Sequence, residues 1–353
     1  MKRRKSGFSI LELLIALAIV AVVLTAASTF FVGMVRQYKV QTKITESNVE
    51  GILGLELLRQ DLESLGYGLP WNNLPSYSEA SSGGGLNDDG AAPRAVAKVD
   101  ASTLGINNGS DYLVIKSALV GMDAAAGKWT TLRAGEGTRP WGSTEEDLAT
   151  GDYVIVLAPG GSTTDQRVLL TPFQGVVFGS LSAYVPANEF QTNIVYGIGS
   201  QTPRFPFNRA DYYIANNSEY AIPHHCAPIT GTLVKRVVKH SNGDLDAPLP
   251  LLDCVADFQV IFGLDSNADR LVDSWDTSMT GLTADQIRTQ LVEVHVNILV
   301  QQGQRDDSYQ YPNPTVYVGD LAIGGGRYFD VSLYRNYRWK LYSIVVKPRN
   351  LAN

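Results

Sequence analysis

Residues 8–35 read FSILELLIALAIVAVVLTAASTFFVGMV, an apolar run of 28 residues interrupted by one charge, Glu12. A helix of about 20 apolar residues spans a bilayer, so this run is long enough to cross with some tilt. Lys2, Arg3, Arg4 and Lys5 precede it. A positive flank stays on the cytoplasmic side, which sends everything after Arg36 to the far side. The competing reading is a secretory signal cut near Thr25-Ala26-Ala27. The run is longer than such a signal needs, and a carboxylate inside it would be a cost without a use.

Composition narrows the classes further. The 353 residues are 44% hydrophobic and 18% charged, with 29 basic against 35 acidic side chains. That content excludes a disordered polyelectrolyte and gives a core of ordinary size. A net charge of −6 argues against a general nucleic-acid binder.

Glu12 needs its own account, because a carboxylate among apolar neighbours costs a few kcal/mol and usually has a partner. No Lys, Arg or His follows it within one or two helical turns, so its own helix is expected to offer no partner. A positive charge would arise nearby if the chain were cut before Phe8, freeing an α-amine. The segment Gly7-Phe8-Ser9-Ile10-Leu11-Glu12 resembles the type IV prepilin family, whose leader ends in Gly before an N-methylated Phe, with Glu five residues into the mature chain. Gly7, Phe8 and Glu12 match those positions one for one.

The resemblance implies that a membrane-embedded prepilin peptidase cuts the Gly7–Phe8 bond and that Phe8 is methylated. The Phe8 amine would then offset Glu12 of its own or a neighbouring subunit, a pair worth more in a low dielectric than at a surface. It also implies other pilins, minor pilins and inner-membrane assembly proteins as partners. The expected location is the inner membrane, crossed once with a cytoplasmic N-terminus and a periplasmic head, and afterwards the pilus.

Beyond Arg36 the apolar rhythm continues at Val40, Ile44, Leu55, Leu58, Leu62 and Leu65, a three-four spacing that marks one helix face. Glu46, Glu50, Glu56, Arg59, Asp61 and Glu63 are read as its wet side. Gly66 and Gly68 close the helix before Pro70. Gly51 and Gly54 weaken its middle by up to about 1 kcal/mol each and predict a possible bend. A separate soluble helix is the alternative, although no linker composition intervenes.

Residues 71–110 are rich in Ser, Gly, Asn and Pro and read as a long loop region. Strands are predicted at Asp111–Val120, Tyr153–Leu157, Ser180–Tyr184, Tyr212–Ile214, Thr232–Lys239, Phe258–Phe262, Leu291–Gln301 and Tyr337–Val346. A short helix with Thr283 as N-cap is predicted at Thr283–Gln290. The expected class is α+β in the type IV pilin manner, with an antiparallel β-sheet head laid on one long helix. Its division is a leader at 1–7, a transmembrane half-helix at 8–35, an amphipathic half at 36–66 and a head at 67–353.

One segment of the head has metal-ligand spacing. Asp265, Asn267, Asp269, Asp273 and Asp276 fall at positions 1, 3, 5, 9 and 12 of a calcium loop, with the Leu271 carbonyl at 7. Arg270 stands where such loops place glycine, and Asp276 replaces the longer Glu, so a solvated Asp/Asn turn is the alternative to calcium. VADFQVIFGLDSNADRLVDSW (255–275) and the C-terminal YRWKLYSIVVKPRNL resemble PilW-like minor pilins.

Cys226 and Cys254 are the only cysteines, and outside the cytoplasm two cysteines most often pair. Closing 28 residues would add about 3 kcal/mol in the chain-entropy account. A metal site built on His224-His225-Cys226 is the alternative, with no second ligand cluster in the sequence. No GxSxG, HExxH, P-loop or dinucleotide fingerprint is present, and Gly324-Gly325-Gly326 reads as a turn. A non-enzymatic role follows, for which three readings compete: a minor pilin in type IV pilus assembly, a minor pseudopilin of a type II secretion system, and a membrane-anchored adhesin.

Overall fold

The computed structural model describes residues 9–71, 77–81, 84–104, 109–159 and 167–351; Gly7 and Phe8 lie outside them, as do the side chains of Val40, Glu46 and Glu50. A single helix, α1 (Ile10–Glu63), runs 54 residues without a break, about 80 Å at ~1.5 Å per residue. Ser64 caps its end by donating its backbone N–H to Gln60 and Leu62 carbonyls. Gly66 then turns the chain at φ 74°, where a Cβ would also meet Leu351 at 2.8 Å.

Strands β1 (Val96–Asp100) and β2 (Asp111–Lys116) open the head. The chain then builds a second sheet from β3 (Trp129–Arg133), β4 (Gly137–Thr138), β5 (Tyr153–Ala158), β6 (Val168–Leu169), β7 (Val176–Val177) and β8 (Thr192–Gly199). It returns through β9 (Arg209–Ala215), β10 (Gly231–Val237), β11 (Leu249–Leu264) and β12 (Ser274–Asp276). Helix α2 (Ala284–Gln290), β13 (Leu291–Gln302), a hairpin of β14 (Thr315–Asp320) and β15 (Gly325–Asp330), and β16 (Arg338–Val346) complete it.

The large sheet has the order β1-β2-β9-β10-β11-β13-β16, with β12 added to β11, and its pairings are antiparallel. One face receives Leu55, Leu58 and Leu62 of α1, and Leu65 just beyond it, against Leu113, Ile214, Leu233, Leu251, Phe258 and Ile298. The other face is covered by the β14–β15 hairpin. Asp257, fully buried on β11, holds that hairpin by accepting two bonds of 2.9 Å from the Arg327 guanidinium. The second sheet, ordered β4-β3-β8-β5-β6 with β7 on β5, lies past the C-terminal end of α1. There the ring of Tyr67 stands edge-on to Tyr196 at 4.9 Å.

Several expectations need correction. Ser180–Tyr184 is a short 3₁₀ turn rather than a strand: Tyr184 N–H bonds Leu181 at 2.9 Å, and Leu181 alone is buried. Asp111–Val120 is strand only to Lys116, after which Ser117 caps a turn through the Leu119 amide. The 71–110 region contains strand β1. The head carries two sheets and a hairpin where one sheet was expected, because β3 (WTTLR) and β8 (TNIVYGIG) are too polar or glycine-rich to stand out.

The helix runs through Gly51 and Gly54 without a break. A Cβ on Gly54 would lie 1.8 Å from the Leu251 carbonyl oxygen, and one on Gly51 3.1 Å from Leu252 Cδ1. These glycines let the β11 backbone touch the helix. Gly54→Ala therefore sets a helix-propensity gain of about 1 kcal/mol against a backbone collision, and the collision wins. The variant should melt well below the parent chain in detergent, and an unchanged or raised melting temperature would remove the close-approach argument.

Candidate functional site

The N-terminus of α1 supplies a partner that the sequence reading missed. Ser9 N–H donates to Glu12 Oε2 at 3.0 Å, and Ser9 Oγ accepts from the Leu11 amide at 3.1 Å. This is a capping box, for which Ser9-x-x-Glu12 is the sequence signature. A carboxylate in the first turn also meets the positive end of the helix dipole. The expectation that Glu12 finds no partner in its own helix is thereby corrected: the Ser9 backbone N–H is its donor. From Ile10 to Val35 every apolar side chain is exposed. The hydroxyls of Thr25 and Thr29 turn back onto helix carbonyls of Ala21 (2.8 Å) and Ala26 (2.9 Å), which suits an apolar surrounding.

At its other end the helix is keyed to the head by charge. Asp61, read from periodicity as wet, is buried. Its carboxylate accepts from Lys235 Nζ at 2.6 Å and from the Tyr212 hydroxyl. Burial, with Asp61 next, pushes the Tyr212 hydroxyl well above its ordinary range. Two residues on, Glu63 meets Arg59 at 3.1 Å and Arg349 from the C-terminal segment, whose N–H also bonds the Glu63 carbonyl at 3.0 Å.

A second buried ionic cluster gave no sequence signal, because its members are scattered over 130 positions. Lys116 on β2 meets Glu79 at 2.7 Å and also Asp88. Arg209 on β9 binds Glu79 at 2.8 Å, Asp211 at 2.7 Å and Asn87 at 2.6 Å. Burial raises the Asp88 carboxyl, but Lys116 and Arg94 outweigh it and hold the group below its usual range. These charges pin the 77–94 segment to the sheet, and each is matched by a counter-ion. Elsewhere burial pushes the Asp111 carboxyl up to about 6 despite Lys98 at 2.7 Å. Asp111 and Lys98 bond the Val260 N–H and carbonyl on the edge of β11 that lies between its pairings with β10 and β12.

The aspartate loop joins β11 to β12. Arg270 takes the left-handed φ of 68° that a glycine would take there, and Ala268 does the same at 64°. The carboxylates turn to the loop's own amides. Asp265 accepts from Ala268 N–H at 2.7 Å and Arg270 N–H at 2.6 Å, and Asp273 from the Ser266 amide and hydroxyl at 2.8 Å. Those Ser266 bonds hold the Asp273 carboxyl below its usual range. Asp269 takes the Leu271 amide and Asp276 the Ser278 amide, while Asn267 Nδ2 bonds Asp273 Oδ1 at 3.1 Å. In this arrangement the loop's side chains do not form a group of three or more around one point. Among the described residues that grouping occurs at His225, Cys226 and Cys254, and there the two sulfurs are joined in a disulfide.

A family described as type IV pilus-assembly protein W matches residues 211–350, and the prokaryotic N-terminal methylation motif matches residues 2–28. These two matches support a type IV prepilin-like minor pilin. No curated protein and no solved structure matches it. The first match spans β10 to β16, the aspartate loop and both cysteines of this minor pilin, and the second spans the capping box and the exposed apolar helix.

The Asp61–Lys235 contact generates a test in the pilin. Asp61→Ala strands a buried ammonium and should cost about 3–5 kcal/mol in denaturant unfolding, whereas Asp61→Leu with Lys235→Met should recover most of that loss. Equal costs for Asp61→Ala with and without Lys235→Met would show that the two do not act as a pair.

Proposed function

We propose that this minor pilin takes part in assembling a type IV pilus, in a priming or tip complex, after the prepilin peptidase has cut Gly7–Phe8 and methylated Phe8. The observation that carries the reading is the single helix Ile10–Glu63. Its first half offers apolar side chains on every side, while its second half is clamped to a sheet head. Such a helix can rest in the inner membrane and later pack in a filament core without refolding, with the head periplasmic and then on the pilus. The partners are the peptidase, other pilins and the inner-membrane assembly proteins. The role is carried by contacts rather than catalysis, and pilin-like families are structural in kind.

The test is mass spectrometry of the N-terminus together with assembly of a Glu12→Ala chain. The mature chain should start at N-methylated Phe8, and the variant should be processed yet largely missing from sheared filaments. An intact Met1, or normal incorporation of Glu12→Ala, counts against the reading.

Calcium at the 265–276 loop is a separate proposal, supported by ligand spacing and by an Arg270 that already adopts the turn a glycine would make. Binding requires Asp265 and Asp273 to exchange amide donors for the ion, so affinity is weak, around 10⁻⁴–10⁻³ M. A few millimolar calcium should raise the melting temperature of the full chain in detergent, with stabilisation of about 1.4 kcal/mol at tenfold excess over the dissociation constant. Asp265→Ala with Asp269→Ala should abolish the shift, and a melt indifferent to calcium and chelator would leave the loop as a self-closed turn.

A further inference from the structure

The head has an end that faces back along α1 toward the apolar run, and its chemistry differs from the rest of the chain. Strand β13 runs down the helix so that its last residues reach Ile44: a Cβ on Gly303 would sit 3.1 Å from Ile44 Cγ1. Gln302 is paired with Arg338 at the start of β16, while the opposite end of β16 leads to Arg349 beside Glu63. The segments 303–311 and 332–340 therefore form the rim of the head nearest the apolar half of the helix.

Two stretches form this rim, and a third, 36–43 of α1, leads from the apolar run to it at Ile44. Together they hold seven basic and two acidic side chains, in a chain where acids outnumber bases 35 to 29. The two acids are already matched, Asp306 by Arg338 at 2.8 Å and Asp307 by Arg305 at 2.9 Å. Arg335 anchors the rim by donating to the Tyr311 and Pro312 carbonyls at 2.7 and 2.9 Å. Tyr38 on the helix is 71% exposed and Leu333 at the tip of the rim 86% exposed. Tyrosines beside arginines and lysines are the composition of a membrane–water boundary.

The spacing fits. From Val35 to Ile44 is nine residues, about 14 Å of helix. The headgroup layer of one leaflet takes up about 5–8 Å of that. The remaining gap is within a Debye length of about 8–10 Å, so the rim feels anionic headgroups even before contact.

We propose that this basic rim docks on the anionic phospholipid headgroups of the leaflet on the head's side. It would hold the head upright against the membrane until the subunit is withdrawn into a filament. The inference rests on the membrane-spanning reading of residues 8–35, so the experiment probes the two separately.

The full chain is reconstituted in vesicles of phosphatidylcholine, with or without phosphatidylglycerol. A fluorescent non-natural residue replaces Leu333 in one sample and Ile19 in another, and spin-labelled lipids act as quenchers. The Ile19 probe should be quenched by chain-labelled lipid in both membranes. The Leu333 probe should be quenched by headgroup-labelled lipid several-fold more in anionic vesicles, an excess lost in high salt. Lys39→Glu, on the exposed helix surface, should reduce that excess without touching the head. Arg335→Glu should reduce it further and Arg335→Lys should retain it. Equal quenching of Leu333 in the two lipids, or indifference to salt, overturns the proposal. Quenching that follows protein density rather than lipid charge assigns the rim to a second copy and overturns it as well. An Ile19 probe that escapes chain-labelled lipid overturns the membrane reading and this inference with it.

Discussion

One uninterrupted ladder of backbone hydrogen bonds, from Ile10 to Glu63, has to satisfy two solvents. A helix keeps its polar backbone groups internally paired, which is the condition for running through hydrocarbon and on into water without a break. Only the side chains change along it. In the first half they are apolar on all sides; in the second Leu55, Leu58 and Leu62 form a buried stripe while Ile52, Leu53 and Leu57 stay exposed. Because the helix cannot deform without exposing its amides, the head accommodates itself to the helix. The sheet's β11 backbone comes into contact at Gly54, and the left-handed residue Cys254 lies in the strand where its pairing register shifts.

A leucine stripe on an apolar sheet is attractive but poorly specified along the helix axis, since each leucine lies about one turn from the next. Four buried leucines contribute about 2 kcal/mol each, whichever sheet pocket each fills. Asp61 and Lys235 discriminate. A slip of one turn would leave a buried carboxylate and a buried ammonium apart, and such unpaired charges are among the costliest defects a core can contain. Glu63 with Arg349 adds a solvent-exposed ion pair beside the end of the helix, where water weakens it. In this chain, buried ions at the seam act on register, while the leucines supply the attraction.

What was legible in the sequence follows from how local each signal is. The apolar run, the stripe from Leu55 to Leu65, the α2 cap at Thr283 and the long strands β11, β13 and β16 rest on contiguous residues, and all are found. The role of Asp61 was misread because periodicity sees amphipathy but not the Lys235 waiting on a strand 174 residues away. Gly54 was taken for weakness because its reason, the Leu251 carbonyl, is equally remote. The capping box at Ser9 and Glu12 was local and could have been found; attention to the missing cation hid the available amide. The small sheet escaped because strands such as WTTLR show little hydrophobic contrast until Leu132 finds Leu148 and Val195.

The division of the head has a consequence for how the fold tolerates change. The second sheet is inserted between β2 and β9, which are neighbours in the large sheet through the register Leu113 to Tyr212. Inserting chain between two strands that already pair adds closure entropy that grows only with the logarithm of its length. The helix seam lies wholly on the large sheet, so the insertion leaves it untouched. Its contacts with the rest run through the end of the helix, where Tyr67 meets Tyr196 and Arg167 stacks on Trp71 at 4.4 Å. The matched family span begins at residue 211, after the inserted sheet has closed. The parts that hold the helix and the part that extends away from the apolar run are thus separable in sequence as well as in space. A change at the far end of the head therefore need not disturb the seam that holds the helix to the large sheet.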